Sequence, residues 1–269
     1  MIKAKKKFGQ NFLIDESVKS KIIQAMPNDS LPVVEIGPGL GDLTQKLLQS
    51  GKLVSAFEID LELCVVLKRK FESEIASKQL TLVCSDVLEQ WRGDSLLDQE
   101  YHLVANLPYY VATNIILKAL SDPKCRSILV MVQKEVAKKF ASQAGDKNFS
   151  GLAILANSIA NVEVLFDVGS EAFDPPPKVT SAVLRMVKTR EFVQNQRDGI
   201  FLDQDEFEEF KRFLKEAFKA PRKTLTKNLQ NSYEKSLVLK FLDELDLSFS
   251  VRPHQLSIDL YHLLFDKLK

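Results

Sequence analysis

The chain has 269 residues, 45% of them hydrophobic, and carries 37 Lys and Arg against 36 Asp and Glu. That length allows one large domain or two unequal ones, and a net charge of +1 argues neither for nor against a nucleic-acid partner. The cysteines Cys64, Cys84 and Cys125 lack CxxC spacing and the histidines His102, His254 and His262 form no ligand pattern, so neither disulfides nor a metal site are expected and a reducing compartment fits.

The first eleven residues hold Lys3, Lys5, Lys6 and Lys7 and no acid, but no apolar signal core follows them. No apolar run approaches the ~20 residues that span a bilayer. The protein is therefore read as cytoplasmic, without a membrane partner. Strands are expected at LPVVEIG (31–37), KLVSAFEI (52–59), LTLVCSDV (to Val87), YHLVANL (101–107) and SILVMVQ (127–133). Amphipathic helices are expected between them at 42–50, 61–73 and 114–122. Strands alternating with helices imply βαβ units and a parallel sheet, hence an α/β fold. Two later strands, NVEVLFDVG (161–169) and SAVLRMVK (181–188), follow without an intervening helix and fit an antiparallel, hairpin-like edge.

After Lys188 the pattern changes. TREFVQNQRDGIFLDQ is polar and irregular and reads as a linker, and from Asp205 the periodicity is helical. The expected domains are 1–188, an α/β domain, and 205–269, a small all-helical one. A Ser-His-Asp site stays open, with no nucleophile-elbow motif to support it.

Glu35-Ile36-Gly37-Pro38-Gly39-Leu40-Gly41-Asp42 marks the turn from the first strand into a helix. Glycines permit the tight turn and close approach to a ligand at the carboxyl ends of the strands. The spacing is G-x-G-x-G rather than the dinucleotide G-x-G-x-x-G, and Asp42 stands where the last glycine belongs. An acidic loop suits S-adenosylmethionine, which has no phosphate, better than a pyrophosphate. Glu58 and Asp86 end the next two strands, where carboxylates accept from ribose hydroxyls and from an adenine amine. Tight turning and helix capping are the plain alternatives for each of these residues. Asp60 is expected mainly to cap the following helix.

VANLPYYV (104–111) ends the fourth strand on the same rim. The exocyclic amine of a nucleobase is a poor nucleophile because its lone pair is delocalised into the ring. Two acceptors aimed at its hydrogens, the Asn106 side-chain carbonyl and the Leu107 backbone carbonyl, would free that lone pair. Pro108 fixes the chain direction and offers no donor, and Tyr109 offers a face on which the base stacks. The base must leave its helix to reach such a pocket.

These stretches resemble the ribosomal RNA adenine N6-dimethyltransferases of the kasugamycin-resistance type over almost the whole chain. The motifs that carry the resemblance are Lys7-Phe8-Gly9-Gln10-Asn11-Phe12-Leu13, Val34–Gly41 with Leu43-Thr44, Asn106-Leu107-Pro108-Tyr109, Gln133-Lys134-Glu135-Val136 and Phe173-Asp174-Pro175-Pro176-Pro177-Lys178-Val179. The resemblance implies a Rossmann-like class I methyltransferase sheet with a C-terminal helical domain that binds RNA. It implies S-adenosyl-L-methionine held by Asn11, Leu13, Gly37, Glu58, Asp86 and Asn106, and catalysis centred on Asn106, Leu107, Pro108 and Tyr109. Phe173 would face Tyr109 across the flipped adenine. The implied substrate is the small ribosomal subunit, where two adjacent adenosines near the 3′ end of 16S rRNA each receive two methyl groups. The protein is read as a monomer. Tyr110 and Pro221 depart from the family pattern: a polar residue is expected at the first, and at the second a helix is expected to start rather than pass through.

The stretch 211–227 carries Lys211, Arg212, Lys215, Lys219, Arg222, Lys223 and Lys227 against one acid, Glu216. Such a patch attracts phosphate through counterion release, although charge runs are more often solvated helix faces. Arg222 and Lys223 are the expected contacts to the RNA backbone. The alternatives weighed are a macrolide-resistance-type methyltransferase of large-subunit rRNA, an assembly factor that chiefly binds immature small subunits, and a nicotinamide-dependent dehydrogenase, which the glycine spacing disfavours.

Overall fold

The computed structural model describes residues 4–5, 8–189, 201 and 203–269. Lys3, Lys6 and Lys7 of the basic N-terminal run lie outside them, as do 190–200 and 202 of the expected linker. Contacts gather the chain into two compact units. The first is Met1–Ala137 with Glu163–Val187, and the second is Lys138–Val162 with Lys188–Lys269. Residues 138–162 thus cluster with the C-terminal helices, although their sequence lies between two strands of the α/β part.

The first unit opens with β1 (Phe12–Leu13) and α1 (Glu16–Ala25), and then alternates β2 (Val33–Ile36), α2 (Asp42–Gln49), β3 (Val54–Phe57), α3 (Leu61–Lys70), α4 (Glu72–Ala76), β4 (Leu80–Val83), α5 (Val87–Gln90), β5 (Tyr101–Asn106), α6 (Ala112–Ser121) and β6 (Cys125–Gln133). Helix α7 (Lys134–Ala141) leads into the second unit and α8 (Gly151–Ile159); the chain then returns to the first unit with β7 (Ala160–Val168), β8 (Phe173–Asp174) and β9 (Ser181–Lys188). The seven-stranded sheet has the order β4-β3-β2-β5-β6-β9-β7. β2 to β6 pair in parallel, and β9 runs antiparallel to β6. The two late strands do form an edge of this sheet, with β9 inserted between β6 and β7.

The central strands are continuous apolar runs because both faces are covered. Val33, Val34, Leu103, Val104, Ile128 and Val132 are all fully buried. Helices start where carboxylates accept orphan backbone N–H groups: Asp15 at α1, Asp60 at α3 and Asp86 at α5. A separate two-stranded ladder pairs β1 with β8, Phe12 opposite Asp174 and Leu13 opposite Phe173. It ties the N-terminal segment to the Pro-rich loop.

One expectation is corrected here. Cys64 of α3 and Cys84 after β4 are joined as a disulfide, with Cα atoms 6.1 Å apart and a sequence separation of 20. The β3–α3–β4 crossover folds α3 back beside the end of β4, an adjacency that spacing alone does not reveal. Cys125 is buried and outside any disulfide. Among the described residues no helix is long and apolar enough to cross a membrane, and no group of His, Cys, Asp and Glu could hold a metal ion.

The second unit consists of α8 with α9 (Gln204–Ala217), α10 (Leu225–Leu229), α11 (Lys235–Glu244) and α12 (Ile258–Leu268). Asp203 caps α9 by accepting the Glu206 N–H at 2.9 Å. Phe207, Phe210, Phe213, Leu214 and Ala217 then line its buried face at helical spacing. Their rings meet α12: Phe210 lies 5.2 Å from Phe265 and Phe213 6.2 Å from Tyr261. His262 stacks on Phe210 at 4.5 Å, and its Nε2 lies 2.8 Å from the Ser158 hydroxyl. The expected helix start at Pro221 is corrected: Thr224 caps α10, which begins at Leu225, and Pro221 belongs to the preceding turn.

Candidate active site

A cavity of about 320 Å³ opens at the carboxyl ends of the parallel strands, lined by residues from the N-terminal segment and from the ends of β2, β3, β4 and β5. Its size lies in the roughly 300–1,000 Å³ range of small-molecule sites. It brings together nine of the residues expected to act there: Asn11, Leu13, Gly37, Glu58, Asp86, Asn106, Leu107, Pro108 and Tyr109. Phe173 is not among the lining residues. It is 3% exposed and packed in the core with Leu13 and Met131. Its pairing with Leu13 in the β1–β8 ladder draws the ring inward. Arg222 and Lys223 belong to the second unit.

The floor of the cavity is the glycine loop. Gly39 and Gly41 have φ of 61° and 80°, a region that costs L-residues about 1–2 kcal/mol. A Cβ on Gly39 would stand 2.9 Å from the Phe12 ring, and one on Gly41 would stand 2.5 Å from Phe71. The loop therefore lies tight under the N-terminal segment on one side and α3 on the other. Glu58, 4% exposed, reaches under it. One carboxylate oxygen accepts the Gly39 N–H at 3.2 Å and the other accepts the Asp60 N–H at 2.9 Å. Burial raises its pKa against those two backbone donors. Asp86 caps α5 through the Leu88 N–H at 2.9 Å and also lines the cavity, so capping does not take it away from the rim.

Sequence reasoning left several residues of this region without a role. Glu35 lies within β2, 1% exposed, and burial pushes its carboxyl up to about 8. Its Oε2, the Thr44 hydroxyl and the Ser85 hydroxyl are buried and have no hydrogen-bond partner. Glu35 and Ser85 both line the cavity. Buried polar atoms without partners are rare because each costs ~1–3 kcal/mol. A polar ligand in the cavity would supply partners to Glu35 and Ser85, while Thr44 stands beside Glu35 and outside the lining. Asp60 does more than cap α3. It accepts the Lys5 ammonium at 2.8 Å and the Gln10 amide at 3.0 Å, and so fastens the N-terminal segment over the cavity. The proximity of Lys5 and Gln10 to Asp60 has no signature in spacing. Glu35 did have one, as an acid inside an otherwise apolar strand.

At the end of β5 the Asn106 side-chain amide donates to the Asn11 carbonyl at 3.0 Å. With its nitrogen so engaged, the amide presents its oxygen as the remaining polar group. The Leu107 side chain is buried and its N–H donates to the Met131 carbonyl at 3.1 Å, which fixes the peptide that follows. Pro108 closes a turn by accepting the Val111 N–H at 3.2 Å. Tyr109 is half-buried and its hydroxyl lies 2.6 Å from that of Ser181. Tyr110, the departure from the family pattern, is 63% exposed, and its ring lies over Gly9, where a Cβ would stand 3.2 Å away. It forms part of the outer wall.

A Ser-His-Asp chain is also present, but not at this rim. Ser127 lies 2.7 Å from His102 Nδ1, and Asp29 lies 2.9 Å from His102 Nε2. It lies at the amino ends of β5 and β6, and Ser127 is 2% exposed. A buried hydroxyl with no opening to substrate is a structural group.

In the second unit Asn228 pins the turn between α9 and α10. It accepts the Ala220 N–H at 2.8 Å and donates to the Ala220 and Thr224 carbonyls at 3.1 and 3.0 Å. That turn exposes Arg222 and Lys223. Lys211 is tied to Glu208 within α9 at 3.0 Å, and Lys219, just past the helix end, to Glu216 at 3.2 Å. Among the described residues, Arg222, Lys223 and Lys227 have no carboxylate within ion-pair distance.

A family model described as ribosomal RNA adenine dimethylase matches residues 1–269. A protein of Campylobacter curvus named ribosomal RNA small subunit methyltransferase A is 52% identical over 269 residues, covering 100% of this chain and 93% of that one. A protein of the same name from Campylobacter fetus is 53% identical over 265 residues, covering 98% and 95%. Among solved structures, a dimethyladenosine transferase from Plasmodium falciparum superposes with a TM-score of 0.75 at 24% identity, covering 94% of this chain and 95% of that one. The 23S rRNA methyltransferase ErmE superposes with a TM-score of 0.69 at 23% identity, covering 96% and 99%. At those identities the two structures share the fold, the class I methyltransferase fold expected from the sequence.

Proposed function

The chain belongs to the ribosomal RNA adenine dimethylase family, and on that premise we propose that Asn106, Leu107, Pro108 and Tyr109 methylate the N6 amines of two adjacent adenosines near the 3′ end of 16S rRNA. The enzyme is an S-adenosylmethionine-dependent rRNA adenine dimethyltransferase. The observation that supports the residue assignment is the Asn106 hydrogen bond to the Asn11 carbonyl, which engages the amide nitrogen and leaves the oxygen for a substrate.

The cavity suits the methyl donor on its own chemistry. Glu58 would accept from the ribose hydroxyls, and Asp86 from the adenine amine. The N-terminal segment with Asn11 and Leu13 would close over the methionine end, beside Gly37 and Asn106. The partnerless Glu35 and Ser85 oxygens fit a polar ligand. When bound, S-adenosylmethionine supplies an electrophilic methyl group at the rim. The chain's own part is to orient the amine. Asn106 Oδ1 and the Leu107 carbonyl would accept its two N–H bonds, which draws the nitrogen toward pyramidal geometry and turns its lone pair outward. Tyr109 would stack on the flipped base. Phe173 would complete the clamp only if its ring turned out of the core in which it is packed. Preorganised acceptors of this kind are typically worth ~3–4 kcal/mol of barrier.

The names of the relatives favour the small subunit over a large-subunit substrate. The exposed, unpaired cations Arg222, Lys223 and Lys227 would meet the RNA backbone. The reading further takes the enzyme to be a monomer in the cytoplasm, where small subunits are assembled. The test is methylation of undermethylated small and large subunits with labelled S-adenosylmethionine, followed by nucleoside analysis. Dimethyladenosine in small-subunit RNA alone is expected. Label confined to large-subunit RNA would overturn the substrate assignment. Charge reversal at Arg222 and Lys223 should weaken subunit binding, and unchanged binding would remove their assigned role.

A further inference from the structure

We propose that Ser181 is a positioning residue for the methylation, acting through the Tyr109 hydroxyl to set the plane of the ring on which the target adenine stacks. The inference rests on the role given to Tyr109 above.

Ser181 is the first residue of β9 and is fully buried, at 0% exposure. The residues that follow it, Ala182, Val183, Leu184 and Met186, are buried and apolar. A hydroxyl in such a row is costly unless it is hydrogen-bonded. Its side-chain partner is Tyr109, at 2.6 Å. The Ser181 backbone is rigidly placed. It stands in register with Gln133 at the end of β6, and the adjacent Thr180 carbonyl accepts the Lys134 N–H at 3.0 Å.

Tyr109 is held differently. It lies on the loop after β5, whose backbone is fastened by the Leu107 N–H to Met131 and by the Val111 N–H to Pro108. Neither bond constrains the torsions of the Tyr109 side chain. A tyrosine ring held only at Cβ can swing, and a stacking platform that swings loses the alignment that makes stacking useful. The hydroxyl lies para to Cβ. Tying it to a fixed hydroxyl anchors the ring at both ends and turns a loop residue into an extension of the sheet. Burial raises the Tyr109 pKa, so the phenol keeps its proton and the pair remains a neutral hydrogen bond at physiological pH.

Ser181 also ends the loop that begins after Phe173, the residue assigned by resemblance to the opposite side of the base. Both ends of this Pro-rich loop are thus held, Phe173 by its pairing to Leu13 and Ser181 by its pairing to Gln133.

The test uses the full-length enzyme on undermethylated small subunits and compares wild type, Ser181→Ala, Tyr109→Phe, the double variant and Ser181→Thr. Each single deletion of the hydrogen bond is expected to lower kcat about fivefold to tenfold, the effect of one neutral hydrogen bond. Calorimetric affinity for S-adenosylmethionine should be unchanged. The double variant should be no slower than either single variant, because both remove the same interaction. Ser181→Thr keeps the hydroxyl on a β-branched strand residue and should recover kcat. Losses that multiply in the double variant would overturn the proposal, as would wild-type kcat in Tyr109→Phe. If Ser181→Ala lowers the melting midpoint, Tyr109→Phe decides alone, since it leaves β9 intact. A wild-type enzyme that methylates neither subunit would instead remove the underlying reading and the proposal with it.

Discussion

At the amino end of β5, Asp122 is fully buried, and one of its oxygens receives the Tyr101 hydroxyl at 2.7 Å, the Leu96 N–H at 2.8 Å and the Trp91 indole N–H at 3.1 Å. At the carboxyl end of the neighbouring β2, Glu35 is buried to a similar degree with one oxygen unpartnered, and the Ser85 hydroxyl after β4, on the same cavity, is unpartnered as well. Both ends of the sheet bury polar groups, and only one satisfies them from within the chain. A satisfied cluster rigidifies a core. An unsatisfied one marks a place where folding economy has been given up for a ligand. The contrast separates the Ser127–His102–Asp29 chain, which looks catalytic by composition, from the rim, to which our proposal assigns the chemistry.

The contrast predicts opposite phenotypes. Asn106→Ala should cut kcat about a hundredfold to a thousandfold, the usual cost of a lost preorganised polar group. The melting midpoint should move little, because the residue stands at a rim. Single-turnover methylation of small subunits measures the first and calorimetry the second; a kcat close to wild type would break the comparison at its functional end. Asp122→Ala should do the reverse. It strands the three donors of that oxygen, and the Lys124 N–H on the other, and should cost about 3 kcal/mol of stability. Denaturant unfolding would show it, while kcat below the midpoint should stay near wild type.

A smaller effect tests the rim more finely. Gly39→Ala places a Cβ at positive φ and 2.9 Å from the Phe12 ring. The N-terminal segment would have to lift from the cavity, and the backbone strain adds about 1–2 kcal/mol. Affinity for S-adenosylmethionine should fall by roughly tenfold. Unchanged affinity in titration calorimetry would mean that the segment does not need to lie tight on the loop.

Much of this was legible in the sequence where local chemistry and global position agree. The apolar runs at β2, β5 and β6 announce buried parallel strands, and the ends of four strands, at Gly37, Glu58, Asp86 and Asn106, converge on one cavity because parallel strands share a carboxyl edge. What was not legible depends on contacts between distant segments. Cys64 and Cys84 meet only after a crossover. Ser181 reaches Tyr109 past the end of β6. Phe173 is buried by a two-residue ladder too short to show periodicity. Residues 138–162 read as part of the α/β domain, yet α8 packs on α9 through faces whose partner lies some fifty residues away.

The smallest predicted effect concerns the satisfied end and runs through pH. Burial holds the His102 pKa below its ordinary value of 6.5, against the attraction of Asp29. The neutral ring then donates from Nε2 to Asp29 and accepts at Nδ1 from Ser127, a tautomer that satisfies both neighbours. Unfolded, the same ring takes up a proton as pH falls through 6.5, while the folded ring resists. The unfolded state binds more protons in that window, so stability must rise with pH there and decline on acidification below about 6.5. Replacing His102 by Gln, which can also donate and accept, should flatten the pH dependence of the unfolding free energy between pH 5 and 7, at the cost of some packing. Asp29, whose carboxyl is held below its usual range, titrates lower and should leave that window unaffected. A variant with an undiminished slope would mean that other groups carry the acid sensitivity and that the His102 cluster, though buried, is not set apart from solvent protons.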